Sequence, residues 1–169
     1  MAKKVTLVAV LLVILAGGIF IGMRRSHMMG ANSGVTPGGL IAVSAEGTPL
    51  PVPAAQASAG KLPENTALQE SGGMLVSLAL NPYPPTGSKS SDFDVTLTDA
   101  SGQAIPDATL NLDLTMPGMW MPPNQLTMEP VSGGKYHASG RFTMRGLWRI
   151  EVLIQRGGQT QSVFFDVGL

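Results

Sequence analysis

From Gly73 to the C-terminus, apolar and polar residues alternate one for one. That period of two belongs to strands with one buried and one solvated face, and it leaves little room for helices. Met74, Val76, Leu78 and Leu80 share one face, and the Pro-rich stretch from Asn81 to Gly87 ends the run. Phe93, Val95 and Leu97 alternate with Asp92, Asp94, Thr96 and Thr98 before the turn at Asp99-Ala100-Ser101-Gly102. Leu110, Leu112 and Leu114 form the next face, then Leu126 with Met128, then Tyr136, Ala138, Gly140 and Phe142 after Gly133-Gly134. Trp148, Ile150, Val152 and Ile154 follow, and Gly157-Gly158 turns the chain into Val163, Phe165 and Val167. About seven short strands within about 97 residues, separated by Gly/Pro/Asp turns, predict an all-β immunoglobulin-like antiparallel β-sandwich. No helical period of about 10–15 residues separates the strands, which argues against a parallel α/β sheet.

The N-terminal half has a different texture. Val5 to Met23 is an uncharged run, VTLVAVLLVILAGGIFIGM, with Lys3-Lys4 before it and Arg24-Arg25 after it. At about 1.5 Å per residue it matches the roughly 30 Å hydrocarbon core. It is longer than a secretory signal core of about 7–15 residues, and no small-residue cleavage site follows closely. Residues 1–25 are therefore expected to be one uncleaved N-terminal transmembrane helix. The short N-terminal tail of such a signal-anchor places the C-terminal domain on the extracytoplasmic (periplasmic) side of the inner or plasma membrane. Residues 26–70 read as a flexible Gly/Pro/Ala-rich linker, as in GANSGVTPGG and GTPLPVPAAQASAG, with Ile41-Ala42-Val43 no more than a strand fragment. The folded domain is expected over 71–169. His27-Met28-Met29, directly after the anchor, reads either as indifferent juxtamembrane residues or as an auxiliary soft-metal cluster.

Charge narrows the partners. Lys plus Arg and Asp plus Glu number 11 each, and from Ser71 onward six basic face eight acidic residues. A nucleic-acid-binding surface would need the opposite bias. Cysteine is absent, so a soft-metal site must use methionine, histidine and aromatic faces. The chain has two histidines and no Gly-rich phosphate loop, G-x-S-x-G elbow or HExxH. An enzyme is not expected, and an exported hydrolase would need a pocket of converging polar groups beside His137.

One stretch stands apart, Met116-Pro117-Gly118-Met119-Trp120-Met121-Pro122-Pro123. Thioethers suit Cu(I), yet methionine also fills irregular cores, and both readings stand. Met74, Met128 and Met144 follow inward strand parity and are expected in the core. Met116 continues the parity of Leu110–Leu114 and is ambiguous. Strand parity accounts for neither Met119 nor Met121. His137 lies on an outward face, and His137 or Met144 would complete a Cu(I) site if their hairpin packs beside this turn. Leu147, Leu153 and Phe164 fall on nominally outer faces.

Three motifs in order resemble the YtkA-like/FixH family: DASGQAIPDA, then LDLTMPGMWMPP, then GGKYHASGRFTMRGLWRIEVLI. An M-P-x-M-x-M-type turn maps onto Met116, Pro117, Met119 and Met121, a G-x-Y hairpin onto Gly134 and Tyr136, and a G-x-W strand start onto Gly146 and Trp148. The resemblance covers roughly Phe93 to Ile154 and, more loosely, the anchor. It implies a membrane-anchored extracytoplasmic immunoglobulin-like domain tied to copper handling, with a copper exporter or an assembling respiratory oxidase as partner. Trp120 stands where many relatives would have a smaller residue. It adds packing, or it caps a Cu(I) through its π face. The leading expectation is a Cu(I)- or Ag(I)-binding protein for transfer, storage or oxidase assembly. Its candidate ligands are Met119 and Met121, then Met116 and His137, with Trp120 as cap. The alternative is a non-metal assembly module that docks a membrane complex through the same Met/Trp turn.

Overall fold

Side-chain alternation sorts the chain into two layers. The computed structural model describes residues 39–54, 60–87 and 89–169. The expected anchor at 1–25 and the His27-Met28-Met29 cluster lie outside the described residues. Among the described residues no helix is long and apolar enough to cross a membrane.

In chain order the strands are β1 (Leu40–Val43), β2 (Thr66–Ser71), β3 (Met74–Asn81), β4 (Ser90–Asp99) and β5 (Thr109–Thr115). They continue as β6 (Gln125–Thr127), β7 (Glu129–Ser132), β8 (Lys135–Arg141), β9 (Leu147–Arg156) and β10 (Gln159–Gly168). One five-stranded sheet runs β1-β10-β9-β5-β6 and the other β2-β3-β4-β8-β7. Every pairing between named strands is antiparallel. The two inner faces share one core, in which Leu78, Phe93, Leu112, Tyr136, Phe142, Trp148, Val152 and Phe165 are fully or almost fully buried. Phe142 packs tilted on Phe93 at 5.6 Å between ring centroids and edge-on against Trp148 at 5.4 Å. Such aromatic pairs contribute about 1 kcal/mol each beyond the area they bury.

The seven expected strands are all present, as β3, β4, β5, β6, β8, β9 and β10, and the structure adds β1, β2 and β7. β7 carries Pro130 and is exposed along its whole length, so no alternation marks it. Edge strands tolerate proline because one side of their backbone has no ladder partner. β1 and β2 correct the expectation of linker throughout 26–70. β1 lies along β10, with Ala42 opposite Phe165, and β2 lies along β3, with Ala67 opposite Leu78. Each covers a strand that would otherwise be an open edge. Both are short, and few side chains join the core, Leu40 and Ala42 from one and Ala67 from the other, with Val43 and Leu68 buried outside it. That is too little for a periodic sequence signal.

An ion pair fastens the β1 side. Asp166 is almost fully buried, and Arg149 opposite it binds both carboxylate oxygens, at 2.9 and 3.0 Å, while a third donor reaches the Ala45 carbonyl at 2.8 Å. The Asp166 contact raises the Arg149 pKa above its already high ordinary value, so the guanidinium is a permanent charge.

Register fixes which loops share an end. Asn81 pairs with Asp92 and Ser90 with Arg141, so the β3–β4 and β8–β9 connections leave the same end of their sheet. In the other sheet Thr115 pairs with Arg149, Trp148 with Val167 and Leu40 with Val167. The β5–β6 loop therefore leaves that end too, where the chain also enters β1. Cross-links join these loops. The Leu40 amide donates to the Tyr83 hydroxyl at 3.0 Å, and the backbones of Gly146 and Leu169 bond each other at 3.2 and 3.0 Å.

Candidate metal centre

The loop between β5 and β6 begins as a turn dictated by its residues. Proline at 117 sets φ for the first central position, and Gly118 takes φ 81° at the second. The Met119 amide donates to the Met116 carbonyl at 3.1 Å, the closing bond of a type II turn, which needs glycine there. The far side of the loop is fixed where the Leu114 amide donates to the Asn124 carbonyl at 2.9 Å. Asn124 also donates from its side chain to the Arg141 carbonyl at 3.4 Å, tying the loop to the second sheet.

Between these anchor points the residues divide. Met116 is 9% exposed and belongs to the core. Its terminal methyl reaches over Gly146: a Cβ added there would stand 2.8 Å from Met116 Cε, and Gly146 has φ 134°. The glycine thus leaves both the space and the backbone angle that the methionine requires. Met119 is 52% exposed, Trp120 is 88% exposed, and Met121 is half-buried, packed on the edge of the core. Among the described residues the indole has little to pack against, and burial does not account for its size.

Met144 departs from its expected place in the core. β8 ends at Arg141, Phe142 is the last inward residue, and the bends at 144–146 carry Met144 out to 42% exposure. Met74 and Met128 are buried as their parity requires. Leu153 and Phe164 are half-buried and Leu147 is exposed, in keeping with outer faces.

His137 sits on the outer face of β8, directly opposite Asp94 of β4 and Glu129 of β7. Its Nδ1 lies 2.8 Å from Asp94 Oδ1, and its Nε2 lies 3.4 Å from Ser139 Oγ. Ser139 donates to Asp92 at 2.6 Å. A groove of about 420 Å³ runs beside these residues, lined in part by Gln125, Thr127, Glu129, His137 and Ser139. The Asp94 hydrogen bond, with Asp92 and Glu129 nearby, raises the His137 pKa above its ordinary value despite slight desolvation. A serine proton committed to Asp92 and an imidazole held toward its charged form suit a strut between strands. A nucleophile and its base would need the reverse. The hydrogen bonds engage His137 with this acidic row on the sheet face, and the Met/Trp loop belongs to one end of the sandwich.

Sequence reasoning missed the Asp92–Ser139–His137–Asp94 chain. Its signal was two pairs at spacing two, Asp92 with Asp94 and His137 with Ser139, which period-two geometry puts on common faces. Among the described residues, no group of three or more His, Asp or Glu is disposed to hold a metal ion. The soft donors outside the core in this loop are Met119, exposed, and Met121, half-buried, and thioethers are chemistry for Cu(I) or Ag(I) rather than for oxygen-seeking cations.

The family motifs acquire physical roles from this geometry. Tyr136 of G-x-Y is buried, donates to the Ile105 carbonyl at 2.9 Å and accepts from the Ala108 amide at 3.2 Å, pinning the β4–β5 connection. Trp148 of G-x-W fills the core and donates to the Met144 carbonyl at 3.0 Å. No curated protein and no solved structure matches the chain. The family model described as YtkA-like does match, over residues 69–153, from the end of β2 through most of β9. With half of its length under that match, the chain belongs to the YtkA-like family.

Proposed function

We propose that this is a membrane-anchored, extracytoplasmic copper-binding protein without catalytic activity of its own. Its immunoglobulin-like domain holds Cu(I) or Ag(I) by the thioethers of Met119 and Met121 for transfer, storage or oxidase assembly. The observation that carries this reading is the exposure of Met119 and Trp120 in a loop anchored at both ends, where packing accounts for neither side chain. Trp120, next to both thioethers in sequence, is the cap for a bound cation. Met116 takes a supporting role, because its side chain is committed to Gly146. We rank His137, whose Nδ1 is engaged by Asp94, behind the two thioethers in the ligand set. A copper exporter or an assembling respiratory oxidase would be the partner that loads or unloads the loop.

Thioethers need no deprotonation, so affinity should persist at acidic pH where imidazole and thiolate sites fail. The test is a Cu(I) titration of the full chain in detergent at pH 5, against Met119→Ala plus Met121→Ala and against His137→Ala. Loss of binding in the double variant only is expected. Equal affinity of the double variant and the parent would refute the site.

The same exposure favours the second reading, an assembly module whose Met/Trp loop is an adaptable apolar contact. A membrane partner that co-purifies under copper chelation and is lost with Trp120→Ala would support it.

A further inference from the structure

Of the six large apolar side chains exposed among the described residues, four gather at one end, while Val52 and Val131 lie elsewhere. Trp120, Met119, Met144 and Leu147 are all 38% exposed or more, and all lie at the end of the sandwich formed by the β3–β4, β5–β6 and β8–β9 loops. The loops are in contact: Gly87 lies against the Met144 backbone, and Met116 against Gly146. The loops at this end carry charge of one sign. Residues 82–89, 116–124 and 142–146 contain Lys89 and Arg145 and no Asp or Glu, with exposed Arg141 adjoining. At the opposite end both signs occur, with Asp107 of the β4–β5 connection paired to Arg156 at 3.0 Å. The chain also enters β1 at the apolar end, where the Leu40 amide donates to Tyr83, 17 residues after the apolar run ends at Met23.

We infer that this end of the domain is a lipid-facing tip: Trp120, Met119 and Leu147 enter the interfacial layer of the bilayer while Lys89, Arg141 and Arg145 meet anionic headgroups. Indoles are enriched at that depth because the ring is apolar and its N–H is wet. Three cations beside a small apolar cluster match the two-part chemistry by which peripheral surfaces hold membranes. The inference rests on the membrane-anchored part of the proposed function and is independent of its copper part.

The chain has two tryptophans, and Trp148 is fully buried, so lipid-borne quenchers report on Trp120. The full chain is reconstituted, with a copper chelator present, into phosphatidylcholine–phosphatidylglycerol bilayers with and without brominated acyl chains, and association is scored separately by flotation. Expected is a roughly twofold loss of emission in the brominated bilayers, largely absent in Trp120→Phe. Lys89→Glu with Arg145→Glu should reduce that quenching. Met119→Leu with Met121→Leu should keep it while removing the thioethers, so lipid contact and copper binding fail separately. Chain that floats but leaves Trp120 open to aqueous acrylamide and unquenched by bromolipid overturns the tip alone. Trp120 shielded from both quenchers means a protein contact, such as a second copy, and overturns it too. Chain that does not float overturns both the tip and the anchor.

Discussion

Met116 and Met119 carry the same thioether three residues apart and are held in opposite ways. One follows the parity of Leu110, Leu112 and Leu114 into the core and rests on Gly146; the other follows a type II turn out into solvent. Truncating them should separate packing from ligation. Met116→Ala removes buried methylenes and leaves a cavity, at a cost of about 2–3 kcal/mol. Met119→Ala should change stability by less than about 0.5 kcal/mol, as exposed substitutions do. Urea midpoints of the two variants check this, and a Met119→Ala loss as large as that of Met116→Ala would mean the loop packs in solution. Parity made Met116 ambiguous in the sequence because it is the first residue past β5. Only the space over Gly146 decided the matter. Met144 shows the converse, since inward parity has no force once β8 has ended at Arg141.

At the scale of elements, the strands with two or more inward aliphatic residues and a Gly- or Pro-bearing turn were legible. The edge strands β1, β2 and β7 were not, whereas the edge strand β6 was read from Leu126 and Met128. β1 and β2 have weak alternation of their own and exist because β10 and β3 offer unpaired backbone groups. A chain beginning at Ser71 lacks both strands and the Ala45 carbonyl that Arg149 uses. Against a chain beginning at Gly39, it should unfold at a urea midpoint lower by several kcal/mol equivalents. That loss follows from about 2 kcal/mol for each deleted buried aliphatic, offset by entropy no longer lost in ordering the segment. Equal midpoints would show that 39–70 contributes nothing to the fold. The family match beginning at Gln69 cuts through β2, which does not mark a folding boundary.

For the whole molecule, one pH dependence comes from the face of the second sheet. His137 has its pKa raised above about 6.5 by Asp94. The folded state therefore binds the proton more tightly than the unfolded chain does. The stabilisation is fully present below the unfolded pKa and is lost as pH rises through the folded one. With His137 40% and Asp94 58% exposed, solvent screening holds the effect to about 0.5 kcal/mol. Thermal midpoints should show Asp94→Asn less stable than the parent at pH 5 and nearly equal at pH 8. A difference that grows with pH would reverse the sign of the linkage. The sequence by itself determined the all-β class, the inward residues of seven strands and the odd composition of residues 116–123, because these depend on local periodicity and turn chemistry. Tertiary structure alone decided the strands β1, β2 and β7, the burial of Met116, the engagement of His137 by Asp94 and the gathering of three loops at one end. Each of those depends on strand register between residues tens of positions apart, which no local pattern encodes.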